Sequence, residues 1–221
     1  MRHPRVDTAA SPSYMLDAMT PRFLPRAAAL AFLAASAAFP ALVQDRPPTL
    51  PTRDVAVTYA VSGAAANALP GGAPGALRLA WDAAGRRLRI GADDVPQAMI
   101  VDLTVGEVVI LDDKTHAALT LPLGSKAADG IALSSATFKR QGAEQVAGYA
   151  CTDYAVQDRR GAGTLCLTTD GVPLKGDGTW QGRAGRFVAT QVEYGAQPDG
   201  LFRPPAGFVQ LALPKNLGAA R

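Results

Sequence analysis

The stretch 149–167 of the chain reads YACTDYAVQDRRGAGTLCL. Tyr149–Val156 and Gly163–Leu167 have the composition and alternation of β-strands, and the polar residues between them suit a hairpin loop. The stretch therefore predicts two antiparallel strands. The sequence on either side extends this pattern in both directions.

The hairpin holds the only two cysteines of the chain, Cys151 and Cys166. With the loop centred between Asp158 and Arg159, the cysteines face each other and their Cα atoms lie about 4.5 Å apart, within reach of a disulfide. The apolar residues of the hairpin then occupy the other face. We expect a structural disulfide worth about 3 kcal/mol, because no Cys-x-x-Cys pair and no nearby histidine indicate redox or catalytic chemistry.

A second hairpin lies nearer the N-terminus. Residues 82–85, DAAG, form its predicted turn, and the alternating residues on either side pair Leu79 with Leu88 and Leu77 with Ile90. These apolar side chains then share one face of the sheet.

The middle of the chain predicts strands that are covered on both faces. Two strands flank the turn 104–106, with Val101 and Val109 on one face and Ile100 and Ile110 on the other. Strands with two apolar faces need cover on both.

A short helix is the predicted cover, because residues 124–136 lose the two-residue period of a strand. The other segments alternate as strands do. They are residues 55–61, 77–81, 117–121, 137–141, 172–175, 187–194 and 208–213. About ten strands with few helices predict an all-β, mainly antiparallel meander that curls into a half-barrel or open barrel with one or two short covering helices.

The beginning of the chain indicates export. Two arginines precede the uncharged, alanine-rich stretch 27–43, and cleavage is expected after Ala38 or a few residues later, before Asp45. A membrane anchor is the alternative, but the stretch is shorter than the roughly 20 residues that a span needs. We expect an N-terminal extension and signal peptide over 1–44 and a single exported, periplasmic β domain over 45–221.

The charge of the chain argues against nucleic acid as a partner. The formal net charge is +3, and from residue 45 onward 18 basic residues stand against 17 acidic ones. Nucleic-acid binding needs a basic stripe that replaces the counterions of the phosphates, and no run of Lys or Arg supplies one.

Residues with catalytic potential are few. His116 is the only histidine of the exported part and sits at a predicted turn, where a solvated role is the commoner one. Asp93–Asp94 and Asp112–Asp113 are adjacent pairs without the spacing of a calcium loop, and Ser134–Ser135 lacks the context of a nucleophile elbow. The sequence therefore predicts no catalytic residue, no metal site and no cofactor.

Two groups of residues are candidates for binding. Arg78, Arg87 and Arg89 share the face opposite Leu79 and Leu88, where they form either a patch for an acidic partner or lipid head groups, or a solvated sheet face. A second set of apolar and aromatic residues either lines a ligand cavity or fills the core. Its members are Val57, Tyr59, Leu79, Trp81, Leu88 and Ile90.

The segments 142–154, 165–174, 202–208 and 109–121 resemble an uncharacterised family of secreted proteobacterial domains, over about residues 53–214. That family is similar in architecture to the periplasmic carriers of outer-membrane lipoproteins (LolA-like proteins), in which a curved antiparallel sheet covered by helices shelters acyl chains. The resemblance implies a curled sheet, but it places no acyl-binding residue in this chain.

The expected function is therefore that of a periplasmic, non-enzymatic binding or carrier-type module for a lipid or acyl ligand. The alternative is an envelope-stress sensor or accessory protein that acts through contacts with an envelope protein. After processing, the protein is not expected to be integral to a membrane.

Overall fold

The structure is a computed structural model that describes residues 46–67 and 75–212. The predicted export signal and its cleavage site lie outside these residues. Within them, the chain forms twelve strands, one α-helix and two short 3-10 turns.

The twelve strands belong to one sheet. In chain order they are β1 (Val55–Gly63), β2 (Ala76–Asp82), β3 (Arg87–Ala92), β4 (Val95–Asp102), β5 (Glu107–Asp112), β6 (Ala117–Pro122), β7 (Thr137–Val146), β8 (Tyr149–Asp158), β9 (Gly161–Leu167), β10 (Pro173–Trp180), β11 (Arg183–Tyr194) and β12 (Val209–Ala212). The helix α1 (Ser125–Ala132) lies between β6 and β7, and the 3-10 turns span Ala64–Asn67 and Asp199–Phe202.

Two meanders make up the sheet. Strands β1–β6 pair in chain order, strands β7–β11 do the same, and the two sets meet where β1 pairs with β11. All these pairs are antiparallel, whereas β12 joins the outer side of β6 in parallel. Because β12 and β7 are separate edges, the sheet stays open. The predicted all-β, mainly antiparallel and open architecture with a short covering helix is confirmed.

Burial follows the alternation of the strands. In β1, Val55, Val57 and Tyr59 are buried in the main core, whereas Ala60 between Tyr59 and Val61 is exposed. This is the pattern of a strand with one covered face.

The strands β4 and β5 are covered on both faces, as predicted. Val101 belongs to the main core, and Ile100 on the other face belongs to a second cluster that Phe202 covers. A 3-10 turn near the end of the described chain thus supplies the cover on that side.

Four hairpin turns begin with an aspartate whose carboxylate accepts backbone N–H groups two or three residues further on. These aspartates are Asp82, Asp102, Asp112 and Asp158. Each is the last paired residue of its strand. The side-chain hydrogen bonds therefore set the loop length, which in turn sets the register of the hairpin.

The predicted register of the β2–β3 hairpin is wrong by two residues. Leu79 faces Ile90 and Trp81 faces Leu88, whereas the prediction paired Leu79 with Leu88 and Leu77 with Ile90. A shift of two residues leaves every side chain on its predicted face.

The predicted faces of β4 and β5 do not match, by the equivalent of one residue. Val101 faces Val108 and Ile100 faces Val109, so the predicted placement of Val109 on the face of Val101, and of Ile110 on the face of Ile100, is wrong. A shift of one residue exchanges faces. As a result, Val109 packs against the second cluster and Val108 against the main core.

In the β8–β9 hairpin the predicted disulfide between Cys151 and Cys166 is confirmed. Their predicted direct opposition is wrong, because Cys166 faces Asp153 and the bridge runs diagonally with Cα atoms 5.4 Å apart. The prediction that the apolar face is the one without the cysteines is also wrong. Both cysteines are buried in the main core, while Tyr154 and Leu165 on the other face contribute to a third cluster.

Candidate functional site

The sheet brings the six predicted lining residues together on one face of β1–β3. Four of them are buried, and the other two, Leu79 and Ile90, are half-buried against the same core. Tyr59 Oη donates to the carbonyl oxygen of Pro173 at 2.7 Å, and Trp81 Nε1 donates to that of Pro51 at 2.7 Å. Their polar atoms are therefore satisfied within the protein, and a ligand role for this set stays a prediction.

The three arginines of the predicted basic patch lie on one face of the sheet but differ in their ion-pair partners. Arg87 forms ion pairs with Asp82 at 2.5 Å and with Asp199 at 3.1 Å, and its guanidinium lies over the ring of Phe202. Arg78 pairs with Asp93 at 3.3 Å, at the surface. A uniform positive patch is therefore absent from this face of the described strands, because two of its three charges are matched.

His116 and Asp112 lie at the turn between β5 and β6. His116 is exposed in the turn between β5 and β6, and its ring meets the edge of Phe208. Asp112 accepts the N–H groups of Lys114 and Thr115 in the same turn. These contacts hold the turn together.

Charged residues surround the disulfide. Lys175 Nζ lies 2.5 Å from Glu144 Oε1, and the hydrogen bond from Lys175 holds the pKa of Glu144 below its ordinary value. Burial, together with the neighbouring Glu144, raises the pKa of Asp153. Glu144 and the two cysteine sulfurs lie within 4.8 Å of one another, but the disulfide leaves no thiolate to bind a metal ion.

A groove of about 1210 Å³ lies on the face of β7–β9 that the cysteines do not occupy, and we call it the β7–β9 groove. Phe138, Tyr154, Val156 and Leu167 form its apolar floor. The rings of Phe138 and Tyr154 meet edge to face, with centroids 5.9 Å apart. The floor is thus a surface of the third cluster, at which Phe138 and Tyr154 are half-buried and Val156 and Leu167 are buried.

One wall of the groove is the segment that precedes β1. Arg46 donates to the carbonyl oxygens of Leu133 at 2.6 Å and Ala136 at 3.3 Å, and its guanidinium lies over Phe138. Thr49 Oγ1 donates to the carbonyl oxygen of Ala132 at 2.6 Å. Because the last carbonyls of a helix lack partners within the helix, these bonds attach the segment to the end of α1.

The charge at the groove is one-sided. Arg46, Lys139 and Arg140 are exposed along it, and its lining contains no aspartate or glutamate among the described residues. A groove with an apolar floor and a positive rim matches an amphipathic anion.

Sequence reasoning missed this groove. Phe138 and Arg140 are two residues apart in one strand, as are Tyr154 and Val156 in another, so each pair shares a face, and this spacing was a signal for the floor. Nothing local indicated that Arg46 would lie beside them. No helix in the described residues is long and apolar enough to cross a membrane.

The fold and the groove define a class: an open, curled antiparallel sheet with a short helix and a solvent-open groove. Residues 90–173 match the model of a family described as a domain of unknown function, DUF4412. The match confirms the resemblance to an uncharacterised family. No curated protein matches the chain.

Several solved structures are similar to the chain. An uncharacterized conserved protein from Thermus thermophilus shares the fold at 13% identity and a TM-score of 0.51, covering 73% of this chain and 91% of that one. MucB of Pseudomonas aeruginosa, in its complex with MucA, gives 20% identity, a TM-score of 0.44 and coverages of 69% and 56%. The lipoprotein LppX of Mycobacterium tuberculosis gives 12% identity and a TM-score of 0.40, and the match covers 67% of this chain and 89% of LppX. The chain thus spans just over half the length of MucB.

Proposed function

We propose that the protein is a non-enzymatic binding module of the periplasm that holds a lipid or acyl ligand in the β7–β9 groove. The observation that carries the proposal is the groove itself, with about 1210 Å³ above an apolar floor. Ligand pockets commonly measure roughly 300–1,000 Å³, so a groove above this range suits a long chain. The disulfide supports the assignment to an oxidising compartment.

The energetic basis would be the removal of apolar surface from water. An acyl chain lying across Phe138 and Tyr154 gains about 25 cal/mol for each Å² of apolar area that both surfaces lose. An anionic head group would then lie near Lys139 and Arg140, where charge complementarity favours it without full desolvation.

A competing location is the core face of β1–β3, where the six predicted lining residues lie. Val57, Tyr59 and Trp81 are each at most 3% exposed and pack against one another in the main core. A ligand could enter there only by displacing packed side chains, whereas Phe138 and Tyr154 on the floor of the groove are only half-buried. We therefore place the ligand in the groove.

The test is native mass spectrometry of the processed protein purified from the periplasm, followed by binding of cis-parinaric acid to the delipidated protein. We expect co-purified acyl species and saturable probe fluorescence. Arg140→Glu should weaken probe binding about threefold to tenfold, because it reverses a charge at the rim. Arg183→Glu is the matched control, since Arg183 is exposed and does not line the groove.

An empty protein that does not bind the probe would contradict the proposal. Equal loss of binding in the Arg140→Glu and Arg183→Glu variants would contradict the location. In that case the effect would reflect net charge and not the groove.

A second candidate function, contact with an envelope protein, is favoured by one observation. Val209 and Leu211 on the edge strand β12 are 60% and 48% exposed. An extended peptide from a partner could pair with such an edge. A photo-crosslinker at Gln210 should then give a defined adduct that disappears in a Val209→Lys, Leu211→Lys variant, while the groove remains without lipid.

A further inference from the structure

A second, smaller cavity of about 370 Å³ lies on the other face of the first meander, and we call it the Arg89 cavity. The segment Gln197–Leu201 and strand β11 flank it, and strands β1–β4 form its floor. The floor is built from small residues that point to the same side of the sheet. They are Ala56, Thr58, Ala80, Gly91 and Ala98. Their small size leaves space beneath the overlying segment.

Arg89 is the distinctive residue of this cavity. It is half-buried, and its Nη1 donates to the carbonyl oxygen of Leu201 at 3.1 Å. Arg78 and Arg87 on the same face have carboxylate partners, but no carboxylate in the described residues lies within 4.0 Å of the Arg89 guanidinium. A guanidinium has five N–H donors, and among the described residues the bond to Leu201 occupies one of them.

The pKa of Arg89 is consistent with the absence of a close carboxylate partner among the described residues. Burial lowers the pKa of Arg89 from its ordinary value, and the carboxylate of Asp113 only partly offsets that effect. A partly desolvated cation without a close counter-ion gains more from a bound anion than a solvated one does.

The other polar residues that line the Arg89 cavity carry amide and carboxylate groups. Gln97, Gln191 and Gln197 supply amide groups, whose Nε2 atoms already donate to Asp112, Glu193 and the carbonyl oxygen of Gly195, so that their amide oxygens remain as acceptors. Asp93, Asp113 and Glu193 supply carboxylates, of which Asp93 pairs with Arg78. Amides and carboxylates donate to or accept from hydroxyl groups, whereas the carboxylates repel a bare anion. The lining therefore suits a molecule with many hydroxyl groups and a single anionic group.

We propose that the Arg89 cavity binds a small polyhydroxylated oxyanion, a sugar acid or a sugar phosphate, whose anionic group Arg89 holds. The planar fork of arginine matches carboxylate and phosphate oxygens in pairs. At 370 Å³ the cavity lies near the lower end of the range for small-molecule pockets, which fits a monosaccharide. This site is separate from the groove and does not depend on its ligand.

The experiment is calorimetric titration of the processed protein with glucuronate and with glucose 6-phosphate, and with glucose and inorganic phosphate as controls. We expect at least one anionic sugar to bind, and both controls to bind at least about tenfold more weakly. The comparison of glucuronate with glucose 6-phosphate decides whether the oxyanion is a carboxylate or a phosphate.

Two variants test the location. Arg89→Gln should weaken binding at least about tenfold, because it removes a charge-assisted hydrogen bond, whereas Arg183→Gln should leave it unchanged. Gly91→Leu should abolish binding by filling the cavity. A Cβ at Gly91 meets only the Cβ of Ala98, at 3.6 Å, and Gly91 does not have a positive φ, so this variant should keep the fold.

Failure of both anionic sugars to bind the wild-type protein would overturn the proposal. Wild-type affinity in the Arg89→Gln and Gly91→Leu variants would overturn it as well. Binding of inorganic phosphate as strong as that of the sugars would show a simple anion contact and would also contradict it.

Discussion

Cys166 faces Asp153 across β8 and β9, and its disulfide runs diagonally to Cys151 with Cα atoms 5.4 Å apart. Both sulfurs are buried in the main core, so the bridge joins residues that also pack. The Cys151→Ala, Cys166→Ala variant should lower the free energy of unfolding by about 3 kcal/mol, because the unfolded chain regains the freedom of the closed loop. Urea denaturation measures this, and a loss below about 1 kcal/mol would contradict it.

The carboxylate of Asp170 links the start of the described chain to the β9–β10 turn. Burial alone would raise its pKa, but hydrogen bonds from Thr168, Arg53 and Tyr194 hold it below the ordinary value of 3.8. The ionised form therefore stabilises the fold above about pH 4, and this contribution is lost as the pH falls through the folded-state pKa.

The corresponding variant is Asp170→Asn. It should be less stable than the wild type at pH 7, and the difference should be smaller at pH 2, because the contribution of the ionised carboxylate is lost as the pH falls through its folded-state pKa. Urea unfolding at both pH values measures the difference, with the exposed Asp94→Asn as control. A difference that does not change with pH would argue against the assignment.

Arg87 and Arg78 provide a matched comparison of ion pairs on one face. The Arg87 side chain is 19% exposed and joins Asp82 to Asp199, whereas Arg78 is 65% exposed in its pair. Arg87→Ala should cost about 2 kcal/mol of unfolding free energy, because it leaves the mostly buried Asp82 without its partner. Arg78→Ala should cost less than about 1 kcal/mol. Similar losses in chemical denaturation would show that burial does not distinguish the two pairs.

Arg46 attaches the segment before β1 to the end of α1 and covers Phe138. In the Arg46→Ala variant, amide exchange should accelerate in residues 46–50 and at the end of α1, because the hydrogen bonds that join them are gone. Hydrogen–deuterium exchange with peptide resolution measures this. Unchanged protection, or the same acceleration in Arg183→Ala, would mean that Arg46 does not hold the segment.

The strands were predictable because each face of the sheet has its own polarity. Val55, Val57 and Tyr59 alternate with smaller or polar neighbours in the sequence, and the structure buries these three residues. The registers of the hairpins were harder to predict from the sequence. They depend on the hydrogen bonds of Asp82, Asp102 and Asp158 within their turns, which a pattern of apolar residues does not contain.

The binding surfaces depend on contacts between distant parts of the chain. Arg46 reaches Phe138, and Leu201 reaches Arg89, across more than 90 and 110 residues respectively. Local patterns predicted that Arg89 and Arg87 share a face, but not that only Arg87 would find carboxylate partners. The difference comes from Asp82 at the end of the neighbouring strand and from Asp199, which lies far along the chain.

The junction of the two meanders has a kinetic consequence. Within each meander every strand pairs with its neighbour in the chain, so these contacts can form early by closing short loops. The pairing of Val55 with Tyr194, by contrast, must bring together residues from opposite ends of the described chain. We expect the two meanders to organise first and the zipping of β1 onto β11 to limit the folding rate, so that substitutions at this seam slow folding more than equally destabilising substitutions at the outer strands.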